Sequence, residues 1–445
     1  ICDHGVFHDC RHYLWKGAMG IKSLRQSFSY HLYFPLSIGK GGIIMGDFKK
    51  GKRGKRFLLG ILTFLMIFAM TSTAAIAKEP IKLGVAFALQ GIWSDWCKRD
   101  LIAVDMAVEK INAAGGVNGM PLKTVLYDTA SKPTEAARIV RKLATDDKVM
   151  AILGPFSSSE CEVAFPVGNR IGIVMVAQAS SKPGVAKANR PYAFRNKVDE
   201  LRLAIPAVVK WKKAYNIKTV AIVHDSKDAV GRALGTMVLP GVCKKLGLKI
   251  VNAPNYVTYT TNDFDMSPQV TRLKSMTFDG LVFGGVYMDG VTFIKEARRQ
   301  GLNQPMVAGN PVMHLNFPRQ GGKAAEGVYT SSEFYYWMAK PEVQAFTNEY
   351  VKRAKEKGFD PPYPLQFDVN VYDTIMMFAH IMKERGVTNN PDDLAKDREK
   401  IMKGLTEIKN FPGVASKISF NPETGDADKM TYVVKAHGGE WVLVD

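Results

Sequence analysis

From Ile81 onward the chain alternates strand-like apolar runs with amphipathic helical stretches on short connections, and the whole pattern runs through twice. Residues 81–89 read as a buried strand. Leu101, Val104, Val108 and Ile111 then recur at helical spacing until Gly115 and Gly116 stop the helix. Strand-like 124–127, helical 134–143, strand 149–153, a helix from about Ser158 and strand 173–177 complete the first run. A second run begins with a helix over 201–215. It continues through strand 220–224, a helix over 230–246 closed by Gly247, strand 249–251, helix 268–276, strand 281–283, helix 291–300 and strand 306–308. Such alternation predicts an α/β chain with parallel sheets covered on both faces by helices, and two runs predict two lobes. Two longer helices, 341–357 and 369–385, follow. The tail then changes to antiparallel strands at 416–420, 430–435 and 441–444, with a polar turn at 421–428.

At 445 residues and 46% hydrophobic, the chain can bury two cores. Its formal charge of +18 suggests nucleic acid at first, but residues 1–77 hold 11 of the Lys and Arg against 3 Asp and Glu. The remainder is spread over solvated helix faces such as Lys352, Arg353, Lys355 and Lys357, so no nucleic-acid partner is expected. Lys49, Lys50, Lys52, Arg53, Lys55 and Arg56 precede the apolar run 57–70, which leads into Ala75-Ile76-Ala77. A basic segment, an apolar stretch and a small-residue site predict a signal peptide over 45–77, cleaved to leave Lys78 first. The apolar run falls short of the roughly 20 residues a membrane span needs. With no cysteine at the cleavage site, lipidation is not expected. Residues 1–44 are expected to be a non-native extension upstream of a start at Met45. Cys2 and Cys10 fall in it, leaving Cys97, Cys161 and Cys243 as buried thiols without zinc spacing.

Ligands of open parallel sheets sit beyond the carboxyl ends of the strands. Gly154-Pro155-Phe156-Ser157-Ser158-Ser159-Glu160 joins such an end to a helix, where hydroxyls and free N–H groups suit a carboxylate, or where a serine simply caps the helix. The next strand end carries Gln178, Ser180 and Ser181. Trp93 and Trp96 follow the first strand, and Tyr287 follows Gly284-Gly285 in the second run; these aromatics could wall a cleft. Phe334-Tyr335-Tyr336-Trp337 suits core packing and cleft lining equally. No GxSxG, P-loop or GxGxxG string occurs, so no enzymatic activity, cofactor or metal is expected.

These residues resemble the leucine/isoleucine/valine-binding proteins of bacterial importers, with the type I periplasmic-binding fold. The resemblance is carried by Ile81-Lys82-Leu83-Gly84-Val85, by Asn112-Ala113-Ala114-Gly115-Gly116-Val117-Asn118-Gly119, by Tyr127-Asp128, by 154–159, by 221–225 and by Phe283-Gly284-Gly285. It implies two doubly wound parallel-sheet lobes joined by three crossovers around a ligand cleft. The implied lobes are 78–199 with 334–412, and 200–333 with 413–445. It further implies a periplasmic receptor that captures a branched-chain-type amino acid or related small carboxylate by lobe closure and passes it to the permease subunits of an ABC importer. Receptors for amides, urea or aromatic acids, or a sensory ligand-binding role, are the alternatives. Residue by residue, the resemblance places the ligand carboxylate at Ser158 and Ser159, the next strand-end contacts at Gln178 and Ser180, and aromatic contacts at Trp96 and Tyr287. Val230 stands where the family carries a tyrosine, and Asn310 where it carries the acid that pairs with the ligand ammonium. Glu333 is a candidate replacement for that acid. The family's disulfide positions read as Ser131 and Ser157.

Overall fold

The computed structural model describes residues 78–444; the expected signal peptide and the segment before it lie outside the described residues. The first lobe opens with β1 (Ile81–Phe87), α1 (Ser94–Ala113), β2 (Leu122–Asp128), α2 (Pro133–Thr145), β3 (Ala151–Leu153), α3 (Ser158–Ile171), β4 (Val174–Ala177) and β5 (Ala193–Arg195). The second contains α4 (Glu200–Tyr215), β6 (Thr219–Asp225), α5 (Ala229–Ala233), α6 (Leu239–Lys245), β7 (Lys249–Ile250), β8 (Val257–Tyr259), α7 (Ser267–Lys274), β9 (Gly280–Gly284), α8 (Tyr287–Arg299), β10 (Met306–Ala308), α9 (Asn316–Gly321) and β11 (Tyr329–Ser332). The chain returns through α10 (Pro341–Glu356), α11 (Gln366–Glu384) and α12 (Leu394–Glu407). It ends with β12 (Phe411–Pro412), β13 (Lys417–Phe420), β14 (Ala427–Asp428), β15 (Tyr432–His437) and β16 (Glu440–Leu443).

The first sheet has the order β2-β1-β3-β4-β5 and is parallel throughout. The second runs β16-β15-β11-β10-β9-β6, with β7 and β8 both pairing β6; only β15 runs against the other strands, so its pairings with β11 and β16 are antiparallel. Strands such as β9, buried at every position, are the continuous apolar runs that helices on both faces demand. The helix expected over 230–246 is broken by a π turn at Leu234–Val238. Gly235 lies in that turn against the His224 ring, where a β-carbon would come within 1.9 Å of the imidazole.

The small antiparallel sheet β12-β13-β14 packs on the first lobe. Phe420 meets Phe194 edge-on at 5.4 Å, the Arg195 N–H donates to the Gly425 carbonyl at 2.8 Å, and the Val414 N–H donates to Asp373 of α11. After Asp428 the chain passes to β15, which pairs with β11 of the second sheet. Cys97, Cys161 and Cys243 are free and buried.

Each crossing contributes one charge to a shared buried cluster: Lys197 from the first, Glu333 from the second and Lys429 from the third. Their ammonium groups lie 3.3 and 3.6 Å from the Glu333 carboxylate, and all three side chains are at most 5% exposed. Lys429 also donates to Asn370 Oδ1 at 2.5 Å and to the Asn196 carbonyl at 3.1 Å. Burial alone would push the Glu333 carboxyl up, but Lys197, Lys429 and the N–H groups of Val198 and Asn370 hold it below its ordinary value.

Removing the anion would leave two buried ammoniums uncompensated, so Glu333→Gln is expected to cost about 3–5 kcal/mol in urea unfolding. The native carboxyl titrates below the unfolded one, so its contribution is complete at neutral pH and lost as pH falls through the carboxylate range. The variant should therefore lose less stability on acidification than the parent. A loss below about 1 kcal/mol at neutral pH, the size typical of exposed pairs, would show that the cluster is solvated.

Candidate functional site

Both serine-bearing strand ends are positioned by local constraints. Gly154 leaves β3 with φ of 102°, and a β-carbon there would meet the Ala86 carbonyl at 2.4 Å, so only glycine lets the chain turn this tightly against β1. Ser157 then caps α3. Its hydroxyl accepts the Glu160 N–H at 3.2 Å, while the Glu160 carboxylate accepts the Ser157 N–H at 3.0 Å. The capping role thus belongs to Ser157, which frees Ser158 for another.

Ser158 is buried at the start of the helix. Its hydroxyl accepts the Lys182 N–H at 3.2 Å and lies 3.0 Å from the Ser180 hydroxyl. Arg195, fully buried and paired with Asp426 at 2.6 Å, donates to the carbonyls of Ser180 and Lys182 and so fixes the second strand end. Paired hydroxyls at a helix N-terminus, with the helix dipole behind them, form an arrangement suited to a carboxylate.

Around these serines lies a small cavity of about 30 Å³, lined chiefly by Trp93, Trp96, Phe156, Phe367 and Ser158 of the first lobe and by Val230 and Pro311 of the second. The three aromatics Trp93, Trp96 and Phe156 have ring centroids 5.5–6.1 Å apart, and Phe367 meets Phe156 edge-on at 5.4 Å. Such a volume holds roughly two waters, so any organic guest requires these walls to part. Larger cavities occur elsewhere. One of about 690 Å³ on the flank of the first lobe, between α1, α10 and α11, is far from the strand ends.

Of the residues expected from sequence, Trp96, Ser158 and Val230 line this cavity. Ser180 is bonded to Ser158. Ser159 reaches across to the second lobe, 3.4 Å from Asp228, whose other oxygen caps α5 through the N–H groups of Val230 and Gly231. Tyr287 stands behind Trp96, edge-on at 5.0 Å, and stacks on His314 at 4.0 Å. Two side chains are turned away from the cavity. The Gln178 amide donates to Asp100 at 2.9 Å inside the first lobe. Asn310 is held by Gln366 at 2.9 Å and by the Ser331 carbonyl at 2.6 Å. Glu333 is engaged by the crossover lysines, and Tyr336 of the aromatic string stacks on Tyr363 at 4.7 Å.

Sequence reasoning missed Phe367, Pro311, Asp228 and His314. Phe156 lay inside the serine string and was legible there. Phe367 enters from α11, some two hundred residues further on, with no local signal. Ser131 and Ser157, the positions read as the family's disulfide, serve separate purposes: Ser131 accepts the Trp93 N–H and donates to the Gln90 carbonyl. Among the described residues no group of three or more His, Cys, Asp or Glu could hold a metal ion, and no helix is long and apolar enough to cross a membrane.

Comparison with known proteins agrees with this architecture. The family model described as periplasmic binding protein matches residues 80–440. An amino acid binding protein of Pseudomonas aeruginosa is 27% identical over 69% of this chain and 80% of its own length. The leucine-specific-binding protein of Salmonella typhimurium is 26% identical over 78% of this chain and 88% of its own. A leucine binding protein from Thermotoga maritima superposes with a TM-score of 0.72 at 22% identity, covering 82% of this chain and 98% of that one. A solute binding protein from Rhodopseudomonas palustris, solved with 3,4-dihydroxy benzoic acid, gives 0.70 at 20% identity over 82% and 96%. With its match spanning both sheets and all three crossovers, the chain belongs to the periplasmic binding protein family.

Proposed function

We propose that this chain is the periplasmic receptor of an ABC importer, exported by its signal peptide, and that it captures a small carboxylate between its lobes for delivery to permease subunits. The observation that carries the ligand class is the Ser158 hydroxyl, free of the capping role and 3.0 Å from Ser180 at the start of α3. A carboxylate arriving there gains two hydroxyl donors and the positive end of the helix dipole.

The rest of the cavity favours an acid with a flat apolar body. Its walls are indole and phenyl rings, and no acidic side chain lines it. A desolvated ammonium without a counter-charge is costly, which weighs against a free amino acid. Aromatic acids bound to fold relatives from Rhodopseudomonas palustris support this reading. Asp228, facing Ser159 across the cleft, supports a second one, in which a modest swing of its carboxylate pairs with the ammonium of an amino acid. The amino-acid-binding relatives favour that alternative.

A thermal-shift screen across aromatic acids, amides and amino acids separates the two. A true ligand at 100 times its dissociation constant adds about 2.7 kcal/mol of stability, and benzoate-type acids are expected to do so where leucine does not. The reverse order would transfer the assignment to an amino acid and make Asp228 its counter-charge. Ser158→Ala is expected to weaken binding of the best acid by about 1–3 kcal/mol in titration calorimetry. Unchanged affinity would remove Ser158 from the site.

A further inference from the structure

Asp95 stands in the first turn of α1, in the first lobe; His314 follows β10, in the second. Their side chains meet across the cleft, with Asp95 Oδ2 and His314 Nε2 2.9 Å apart in a bent geometry. Both atoms are buried, and neither is aligned for a regular hydrogen bond, to the other or to any further group. The imidazole is fully buried, and its tautomer is fixed from behind. The Asn316 N–H donates to Nδ1 at 3.1 Å, so the ring is neutral and its hydrogen sits on Nε2, facing Asp95. The His314 carbonyl accepts the Trp441 indole N–H at 2.9 Å, which anchors the residue to β16. Tyr287 stacks on the imidazole with planes 9° apart, and Trp96, next to Asp95 in sequence, lies edge-on to both rings at 5.0 and 5.1 Å.

We propose that Asp95 and His314 are a positioning pair for ligand capture: a latch between the lobes that holds Trp96 against Tyr287 and stabilises the closed arrangement. Neither residue lines the cavity, so the latch acts through Trp96, and it does not depend on which acid the pocket takes. The groups facing the imidazole are Asp95 and Arg99 of α1 and Tyr287 of α8, with Arg99 also 3.8 Å from Asp95 and Lys98 acting on Asp95 alone. Burial pulls His314 below its ordinary value despite the opposing pull of Asp95. Burial raises Asp95, and His314 followed by Arg99 and Lys98 outweigh it, leaving the carboxyl low. Closure thus favours the neutral imidazole. It is complete above the ordinary histidine range and lost as pH falls through it, because an opened chain binds a proton that it must shed to close.

Small-angle scattering of the full chain, alone and with benzoate, tests this. At about pH 8 the wild type should be compact, and Asp95→Ala and His314→Ala should both show a larger radius of gyration. His314→Gln, which can still donate to Asp95, should stay compact and should lose the opening that the wild type shows on going from about pH 8 to about pH 5.5. Asp95 is partly exposed, so its variant remains informative if His314→Ala fails to fold. Identical scattering of wild type and Asp95→Ala at both pH values, or acid opening that persists in His314→Gln, would overturn the latch. If Asp95→Ala is more open than the wild type and benzoate fails to close it, the latch is supported and only the aromatic-acid reading is lost.

Discussion

Glu333, held between Lys197 and Lys429, is the contact on which the two-lobed arrangement depends. Taking three charges out of water costs several kcal/mol each, and the cost is offset only when all three crossings stand in register. The cluster therefore specifies geometry more than it adds stability. It also reaches toward the site. Asn370, which accepts from Lys429, donates both to Glu333 and to the Gln178 carbonyl, and Gln178 is two residues from Ser180. The hinge and the serine pair are thus joined by a short chain of buried hydrogen bonds, which couples lobe angle to the strand end proposed to meet the ligand.

The ligand end follows from a division of labour among neighbouring serines. Ser157 spends its hydroxyl on the helix cap and Ser158 keeps its own near Ser180, while Ser159 bridges to the second lobe. Three identical side chains acquire three roles because the start of a helix rotates each successive residue by about 100°. The aromatic walls do the complementary work of excluding water, which strengthens any charge-assisted bond the serines make.

Most of the fold was legible in the sequence. Strands buried on both faces read as unbroken apolar runs, and covering helices show their own period, so elements such as 281–283 and 341–357 stand out locally. The crossovers were not legible as a unit. Lys197 and Glu333 are 136 residues apart and Glu333 and Lys429 are 96 apart, and nothing in their local strings says that they meet. The packing of β12-β13-β14 is hidden for a similar reason: the segment looks like any polar hairpin region, and its contacts with Phe194 and Asp373 come from residues far away in sequence. Within the site, Ser158 and Trp96 could be found from strand-end position. Gln178 and Asn310 share that kind of position, but their amides turn inward to Asp100 and Gln366. Side-chain direction at a strand end depends on where a buried partner waits, and that partner can lie anywhere in the chain.

The central claim is that a carboxylate sits on Ser158 and Ser180 with the lobes shut around it. A crystal structure grown with 4-bromobenzoate, its bromine located by anomalous scattering, tests this most directly. The carboxylate should lie within hydrogen-bond reach of both serine hydroxyls, with the ring among Trp93, Trp96, Phe156 and Phe367. Bromine in the flank cavity between α1, α10 and α11, or a cleft-bound acid with its carboxylate turned away from Ser158, would contradict the account.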